Sequence, residues 1–239
     1  TIIDIGTGTG LLAFKALEQL NGTGKIIFSD KFKDCLDSCE NFLKEQGITQ
    51  GYEMLQCPAE KIPLPDNSVD TAMMRSVLVH IVDKQPAINE IYRILKKGGH
   101  FCCFEPIIRS NTRYWELTEP SEIRNYEEFK KAENDFMTKA DDSLCNFDEN
   151  TLAQNFEKAG FSDGTVDADI IPSTYVANSK MVEQWFVAPP APDKPSIKER
   201  FLNYFDELTV NDYIEDMKKA LDGKEISVCT RSVYVNVIK

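Results

Sequence analysis

The feature that most constrains the fold is an apolar run that ends in three alternate glycines and leads into a helical pattern. The run is Ile2-Ile3-Asp4-Ile5, the loop is Gly6-Thr7-Gly8-Thr9-Gly10, and Leu11–Leu20 has the apolar spacing of an amphipathic helix. Glycine allows the backbone to turn sharply and to approach a ligand closely. The start of the following helix presents free N–H groups and the positive end of the helix dipole. The segment therefore predicts a strand, a ligand-binding loop and a helix.

The first hundred residues continue to alternate short apolar runs with helical patterns. Further strands are predicted at Lys25–Ser29, Tyr52–Gln56, Val69–Met74 and His100–Glu105, and helices at Phe32–Gln46 and Pro86–Lys97. Strands that alternate with helices indicate βαβ units and a parallel sheet. Because crossovers between parallel strands are right-handed, a doubly wound α/β sheet is the expected arrangement.

The second half of the chain has a different pattern. Residues 116–147 are polar and helical, Asp148–Ala159 is an amphipathic helix, and Thr165–Ile171 and Ser232–Ile238 are predicted strands. Residues 188–195 contain four prolines, which is typical of a semi-rigid connector, and the helical stretch 196–221 follows. We therefore predict one domain over residues 1–239 with a seven-stranded, mostly parallel sheet. Its core is residues 1–108, and helical insertions occupy 109–147 and 172–225.

Composition excludes several functional classes. The chain has 239 residues and a net charge of −12, and a surface this acidic argues against nucleic-acid binding. No run of 18 apolar residues occurs, so no membrane span is expected. Seven cysteines without a CxxC pair indicate a reducing compartment, which predicts a cytoplasmic protein. Two histidines are too few to suggest a zinc site, and we predict no metal. The oligomeric state does not follow from the sequence.

Taken alone, the glycine loop is compatible with two kinds of nucleotide cofactor. Gly8-x-Gly10-x-x-Ala13 also satisfies the dinucleotide-binding fingerprint. Asp30, at the end of the second predicted strand, suits the hydroxyls of a ribose in either case. An NAD-dependent oxidoreductase is therefore an alternative at this point.

Segments downstream of the loop resemble those of the class I S-adenosylmethionine-dependent methyltransferases, in particular the group that acts in ubiquinone and menaquinone biosynthesis. Residues 58–70 resemble Asp-Ala-Glu-x-Leu-Pro-x-Pro-Asp-x-Ser-x-Asp, and Leu78-x-His80-x-x-Asp83 follows at the family's spacing. Glu90-x-x-Arg93-x-Leu95-Lys96-x-Gly98-Gly99 completes the pattern. The resemblance covers residues 1–105 and implies a Rossmann-like fold, S-adenosylmethionine as cofactor and S-adenosylhomocysteine as product.

The resemblance also implies a set of cofactor-binding residues. These are Asp4, Gly6, Thr7, Gly8, Gly10, Asp30, Lys31, Pro58, Ala59, Glu60 and Arg75. The glycine loop is expected to hold the amino acid end of the cofactor, and Asp30 its ribose. Pro58 departs from the family, which has an aspartate there that accepts the adenine amino proton. Because proline has no carboxylate, adenine recognition is expected to depend on the Ala59 backbone, Glu60 or apolar stacking, at a loss of roughly 1.5–3 kcal/mol.

Methyl transfer from a sulfonium is an in-line displacement, which mainly requires alignment and a dry pocket. A general base is needed only if the acceptor must lose a proton. His80 and Glu105 are the catalytic candidates, because a histidine pKa lies near neutrality and Glu105 ends the fifth strand on the ligand side. Arg109, Tyr114 and Trp115 follow directly and are predicted to bind the acceptor, since aromatic rings stack on planar or cationic groups.

The predicted function is S-adenosylmethionine-dependent methyl transfer to a small molecule whose reacting atom the sequence does not identify. A cofactor-binding scaffold that has lost activity is an alternative, motivated by Pro58. The two insertions are expected to form the acceptor pocket and its lid. Similar enzymes carry helices before the glycine strand, whereas this sequence starts at Thr1 within an apolar run. We therefore expect that a segment belonging over the active site has been omitted from it.

Overall fold

A computed structural model describes residues 1–239 and contains one seven-stranded sheet. The strands are β1 (Ile2–Ile5), β2 (Ile26–Asp30), β3 (Tyr52–Gln56), β4 (Val69–Arg75), β5 (Leu95–Pro106), β6 (Asp163–Val176) and β7 (Glu225–Ile238). Their spatial order is β3-β2-β1-β4-β5-β7-β6. Strands β1 to β5 pair in parallel, and β7 runs antiparallel to β5. The predicted doubly wound, mostly parallel sheet is confirmed.

The helices are α1 (Leu11–Leu20), α2 (Lys33–Glu45), α3 (Gln85–Ile94), α4 (Tyr126–Phe136), α5 (Glu149–Ala159), α6 (Ser179–Val187), α7 (Ile197–Phe201) and α8 (Glu207–Leu221). The helix predicted at Pro86–Lys97 ends at Ile94, so the prediction was wrong for its last three residues. Leu95 is buried, has an extended backbone and pairs with Val69 of β4. It is therefore the first residue of β5 and cannot continue the helix. In 116–147 only α4 is an α-helix, accompanied by short 3-10 turns.

The helical stretch predicted at 196–221 is interrupted between α7 and α8. The Asp206 side chain accepts the Thr209 N–H at 2.9 Å and caps the start of α8. A new cap of this kind starts a second helix rather than continuing the first.

The chain divides into two compact units. The first contains residues 1–106, 147–169 and 232–239, and the second contains 107–146 and 170–231. The parallel strands, α1 to α3 and α5 lie in the first unit, whereas α4 and α6 to α8 lie in the second. The stretches predicted as insertions, 109–147 and 172–225, fall largely within the second unit.

Each unit has its own apolar core. In the first, α1 and α2 pack on the sheet through Ala13, Phe28 and Leu43. In the second, the core is aromatic: the rings of Phe129 and Tyr213 stack with centroids 3.9 Å apart. No helix of the structure combines the length and the apolar character needed to cross a membrane.

Candidate functional site

The glycine loop follows β1 and has three left-handed backbones, with φ values of 67° at Gly6, 53° at Gly8 and 81° at Gly10. A Cβ on Gly6 would lie 2.4 Å from the Val77 side chain, and one on Gly10 would lie 2.4 Å from the Phe14 ring. A Cβ on Gly8 would meet nothing within 4 Å. The outer two glycines are therefore required by packing, whereas the central one faces open space.

Asp4 ties the loop to the start of α1. Its carboxylate accepts the Thr7 hydroxyl at 2.8 Å and the Ala13 N–H at 3.1 Å. Burial raises the pKa of Asp4 to about 6, and the negative charge of Asp30 adds to this, while the bonds from Thr7 and Ala13 lower it. Asp4 and Thr7 therefore stabilise the conformation of the glycine loop.

Asp30, the last residue of β2, is bonded to the same loop. One carboxylate oxygen accepts the Gly8 N–H at 2.9 Å, and the other accepts the Phe32 N–H at 2.9 Å. A carboxylate has about four lone-pair positions, so acceptor capacity for a ligand hydroxyl remains. Lys31 follows, with its ammonium 4.6 Å from the centre of the Phe32 ring.

The segment after β3 lies beside the end of β2. The Cys57 N–H donates to the Asp30 carbonyl at 3.0 Å, and the Lys61 N–H donates to the Pro58 carbonyl at 3.2 Å. Pro58 and Glu60 are exposed, and Ala59 between them is buried. Pro58 therefore presents only a ring and a carbonyl where the family has a carboxylate.

The motif Glu90-x-x-Arg93 is a structural clamp. The Arg93 guanidinium donates to the carbonyls of Ile62 and Leu64 at 2.8 Å and to Asp66 at 2.7 Å. Glu90 accepts two bonds from Arg93, which lower its pKa, and also accepts the Ile62 N–H at 2.9 Å. The pair fixes residues 62–66 to α3.

Strand β4 ends at Arg75, whose side chain is exposed, and a tight turn follows. Ser76 has a φ of 55°, and its N–H donates to the Phe104 carbonyl at 2.8 Å. Residues 78–80 then form a 3-10 turn, in which the His80 N–H donates to the Val77 carbonyl at 3.0 Å. His80 is half-buried in this turn.

Glu105 is fully buried and holds that turn from β5. Its carboxylate accepts the N–H groups of Val77 at 2.9 Å, Leu78 at 3.0 Å and Val79 at 3.0 Å. Burial raises the pKa of Glu105 to about 7, although the three N–H bonds and the nearby Lys84 lower it. The geometry gives this carboxylate a positioning role, because all its recorded hydrogen bonds go to the backbone of the turn.

The predicted acceptor-binding residues lie in the second unit. The Tyr114 ring stacks with Trp185 at 6.0 Å between centroids, and the Trp115 ring lies 4.4 Å from the Lys130 ammonium. Arg109 is exposed, and its carbonyl accepts a bond from the Arg113 guanidinium at 2.7 Å. Tyr114 and Trp115 therefore belong to separate aromatic contacts.

Glu133 is a buried acid that the sequence analysis does not single out. It is fully buried on α4, and it accepts the Tyr114 N–H at 3.1 Å. Burial raises the pKa of Glu133 to about 7, while bonds from Tyr114 and the charge of Arg113 lower it. The available signal was its spacing, because Glu133 lies on the same helix face as the buried Phe129 and Phe136.

The first unit has the features that S-adenosylmethionine requires. Gly8 faces open space, and Gly10, the N-cap of α1, provides no side-chain cap. Asp4 takes the Ala13 N–H, so the N–H groups of Leu11 and Leu12 suit a carboxylate such as the one at the amino acid end of the cofactor. Asp30 retains acceptor capacity at the carboxyl end of the neighbouring strand. The residues present therefore fit the cofactor.

Comparison with known proteins decides between the two cofactors that the loop leaves open. Residues 1–160 match the model of a methyltransferase domain family. The ubiquinone/menaquinone biosynthesis C-methyltransferase UbiE of Xanthomonas oryzae pv. oryzae is 33% identical over 98 residues, which is 41% of this chain and 39% of that protein. The chain thus spans less than half the length of the curated relatives it matches.

Solved structures show the same fold. The YcgJ protein of Bacillus subtilis is 18% identical with a TM-score of 0.60, and the match covers 100% of this chain and 91% of that one. Phosphoethanolamine N-methyltransferase 2 of Haemonchus contortus, solved with phosphomonomethylethanolamine and S-adenosylhomocysteine, is 17% identical with a TM-score of 0.54, and the match covers 100% and 48%. With a family match over residues 1–160, the chain belongs to the methyltransferase domain family.

Proposed function

We propose that the chain transfers the methyl group of S-adenosylmethionine to a small-molecule acceptor. The observation that carries the proposal is the glycine loop: Gly6 and Gly10 are packed against side chains, and Gly8 between them faces open space. Asp4 and Asp30 fix this loop through hydrogen bonds, so the opening is preformed. A preformed site of this kind lowers the entropic penalty of binding.

Each part of the cofactor has proposed partners in the first unit. The amino acid end is held by the loop of residues 6–10, the start of α1 and the main chain at Arg75. Asp30 and Lys31 contact the ribose. Ala59 and Glu60 contact the adenine beside Pro58, without the carboxylate that the family has there. When bound, the cofactor supplies an activated methyl group on a positively charged sulfur.

The chain's own residues then align the reactants and exclude water. Glu105 holds the backbone of residues 77–79 in place after β4, and thereby keeps that turn in one conformation. His80, at the end of the turn, accepts a proton if the acceptor has to lose one. Arg109, Tyr114 and Trp115 in the second unit are proposed to contact the acceptor.

Pro58 favours a second candidate function, a cofactor-binding protein without transferase activity. This position offers neither a carboxylate nor an N–H group to adenine. The two functions differ in turnover rather than in cofactor binding. Incubation with labelled S-adenosylmethionine and a broad panel of amines, phenols and thiols separates them, because only an enzyme releases S-adenosylhomocysteine together with a labelled product.

The test of the cofactor site compares Gly8→Ala with Gly47→Ala. Both glycines have a left-handed backbone, with φ values of 53° and 70°, and neither has any atom within 4 Å of an added Cβ. Both substitutions should therefore lower the free energy of unfolding by about 1–2 kcal/mol. Only Gly8→Ala should weaken the binding of S-adenosylhomocysteine in calorimetry, by about tenfold or more, because the added methyl group occupies ligand space. Equal affinities for the two variants would contradict the proposed site.

A further inference from the structure

The second unit contains a small cavity with three aromatic rings among its nine lining residues. Its volume is about 180 Å³, and the rings of Tyr114, Tyr175 and Trp185 line it, together with Asn111, Thr112 and Cys229. This is the space of about six water molecules, at roughly 30 Å³ each. No charged side chain is among the lining residues. The cavity is therefore suited to a ligand of a few heavy atoms that does not require a salt bridge.

The aromatic wall is supported by ring contacts within it and behind it. The Tyr114 ring packs against Trp185, which also lines the cavity, at 6.0 Å between centroids, and against the buried Phe186, which does not line it, at 4.9 Å. The Tyr114 N–H donates to Glu133, which is itself fully buried. Phe186 in turn contacts Tyr213 at 5.8 Å. A wall supported in this way loses little freedom when a ligand binds.

The charged groups nearest the aromatic wall are Glu133 and Arg113. Glu133 accepts the backbone N–H of Tyr114, and the pKa of Glu133 is raised to about 7 by burial, so this acid is fully charged only above neutral pH. Burial, with a smaller contribution from the charge of Glu133, raises the pKa of Tyr114, and its hydroxyl therefore stays neutral. Arg113, the cation beside Glu133, does not line the cavity. With a net charge of −12 on the whole chain, the site favours a cation over an anion.

We propose that this cavity binds the methylated ammonium group of a small organic cation. Aromatic rings attract a cation placed within about 6 Å of their centres. A quaternary ammonium has no N–H group to donate, so aromatic rings alone satisfy it, whereas a primary ammonium must replace three hydrogen bonds to water. Tyr114 lines the cavity and is also one of the proposed acceptor contacts, so this inference rests on the proposed function and specifies the chemical class of ligand bound at that residue.

The charge of the ligand is tested with two molecules of one shape. Choline and 3,3-dimethylbutan-1-ol have the same outline, but only choline is charged. Titration calorimetry on the full chain should show that choline binds about tenfold more tightly than the neutral alcohol. Equal binding of the two would overturn the proposal, and so would the absence of choline binding at millimolar concentrations.

The location is tested with two aromatic residues of the second unit, Trp185 and Tyr204. Only Trp185 lines the cavity, so Trp185→Leu should weaken choline binding by about tenfold, and Tyr204→Leu, at an exposed ring elsewhere in the unit, should leave it unchanged. Tyr175→Leu, a change on β6, serves as a second cavity variant if Trp185→Leu does not fold. A loss of affinity in Tyr204→Leu alone would overturn the location. S-adenosylhomocysteine binding, measured on the same samples, reports separately on the proposed function.

Discussion

The buried carboxylate of Glu105 makes stability depend on pH in a way that a single substitution reveals. Burial raises the pKa of this group from the ordinary glutamate value of 4.5 to about 7. The folded state therefore holds the proton more tightly than the unfolded state does. The contribution of Glu105 to stability is fully present below pH 4.5 and is lost as the pH rises through 7.

The magnitude follows from the two pKa values. Between pH 5 and pH 8, linkage predicts that Glu105 lowers the free energy of unfolding by about 2.5 kcal/mol. Glu105→Gln has no proton to exchange, and it loses one backbone N–H acceptor, a cost that does not vary with pH. The difference between wild type and variant should therefore change by about 2.5 kcal/mol over this range, with the variant gaining as the pH rises.

The measurement is urea unfolding of both proteins at several values between pH 5 and pH 8. Asp4 and Glu133, whose pKa values are also raised by burial, are present in both proteins and cancel in the difference. Glu105→Ala is the companion variant. It leaves three buried N–H groups without an acceptor and should lower stability by about 3 kcal/mol or more throughout the range. Parallel pH profiles for wild type and Glu105→Gln would refute the reasoning.

Two further predictions concern packing and the clamp. Gly6→Ala should lower the free energy of unfolding by about 2–4 kcal/mol, because backbone strain adds to the clash of the new Cβ with the Val77 side chain 2.4 Å away. In a Val77→Ala background, only the backbone strain of about 1–2 kcal/mol should remain. Additive effects of the two substitutions in denaturant melts would show that the contact is not responsible. Arg93→Lys should lower stability by about 1–3 kcal/mol, because an ammonium cannot serve the Ile62 and Leu64 carbonyls together with Glu90. Unchanged hydrogen-exchange protection in residues 61–68 of that variant would contradict the clamp.

The sequence predicts the fold well where the pattern is local. The glycine loop and the helix at Leu11–Leu20 follow from residue types and spacing alone. The helix end at Ile94 does not, because Leu95 continues the apolar helical spacing and yet pairs with Val69 in the sheet. Pairing of that kind depends on a partner 26 residues away, which periodicity cannot detect.

In the candidate site, too, some features are predictable from the sequence and others are not. Glycine positions are predictable because few other residues accept a left-handed backbone. The contacts of the acids are not: Asp30 bonds to Gly8, and Glu105 bonds to residues 77–79, across sequence separations of 22 to 28 residues. Glu133 shows the opposite difficulty, since its charge suggests exposure while its position among aromatic residues buries it.

The bond between Asp30 and Gly8 has a consequence for how a large ligand is recognised. One carboxylate anchors the loop proposed for the amino acid end of the cofactor and is also the proposed contact of the ribose. A nucleoside that bonds to the remaining lone pairs of Asp30 contacts the same carboxylate that accepts the Gly8 N–H. The amino acid end and the ribose of the cofactor are then both recognised through the Asp30 carboxylate. Adenosine and homocysteine, offered as separate fragments, would therefore bind with coupled rather than additive free energies.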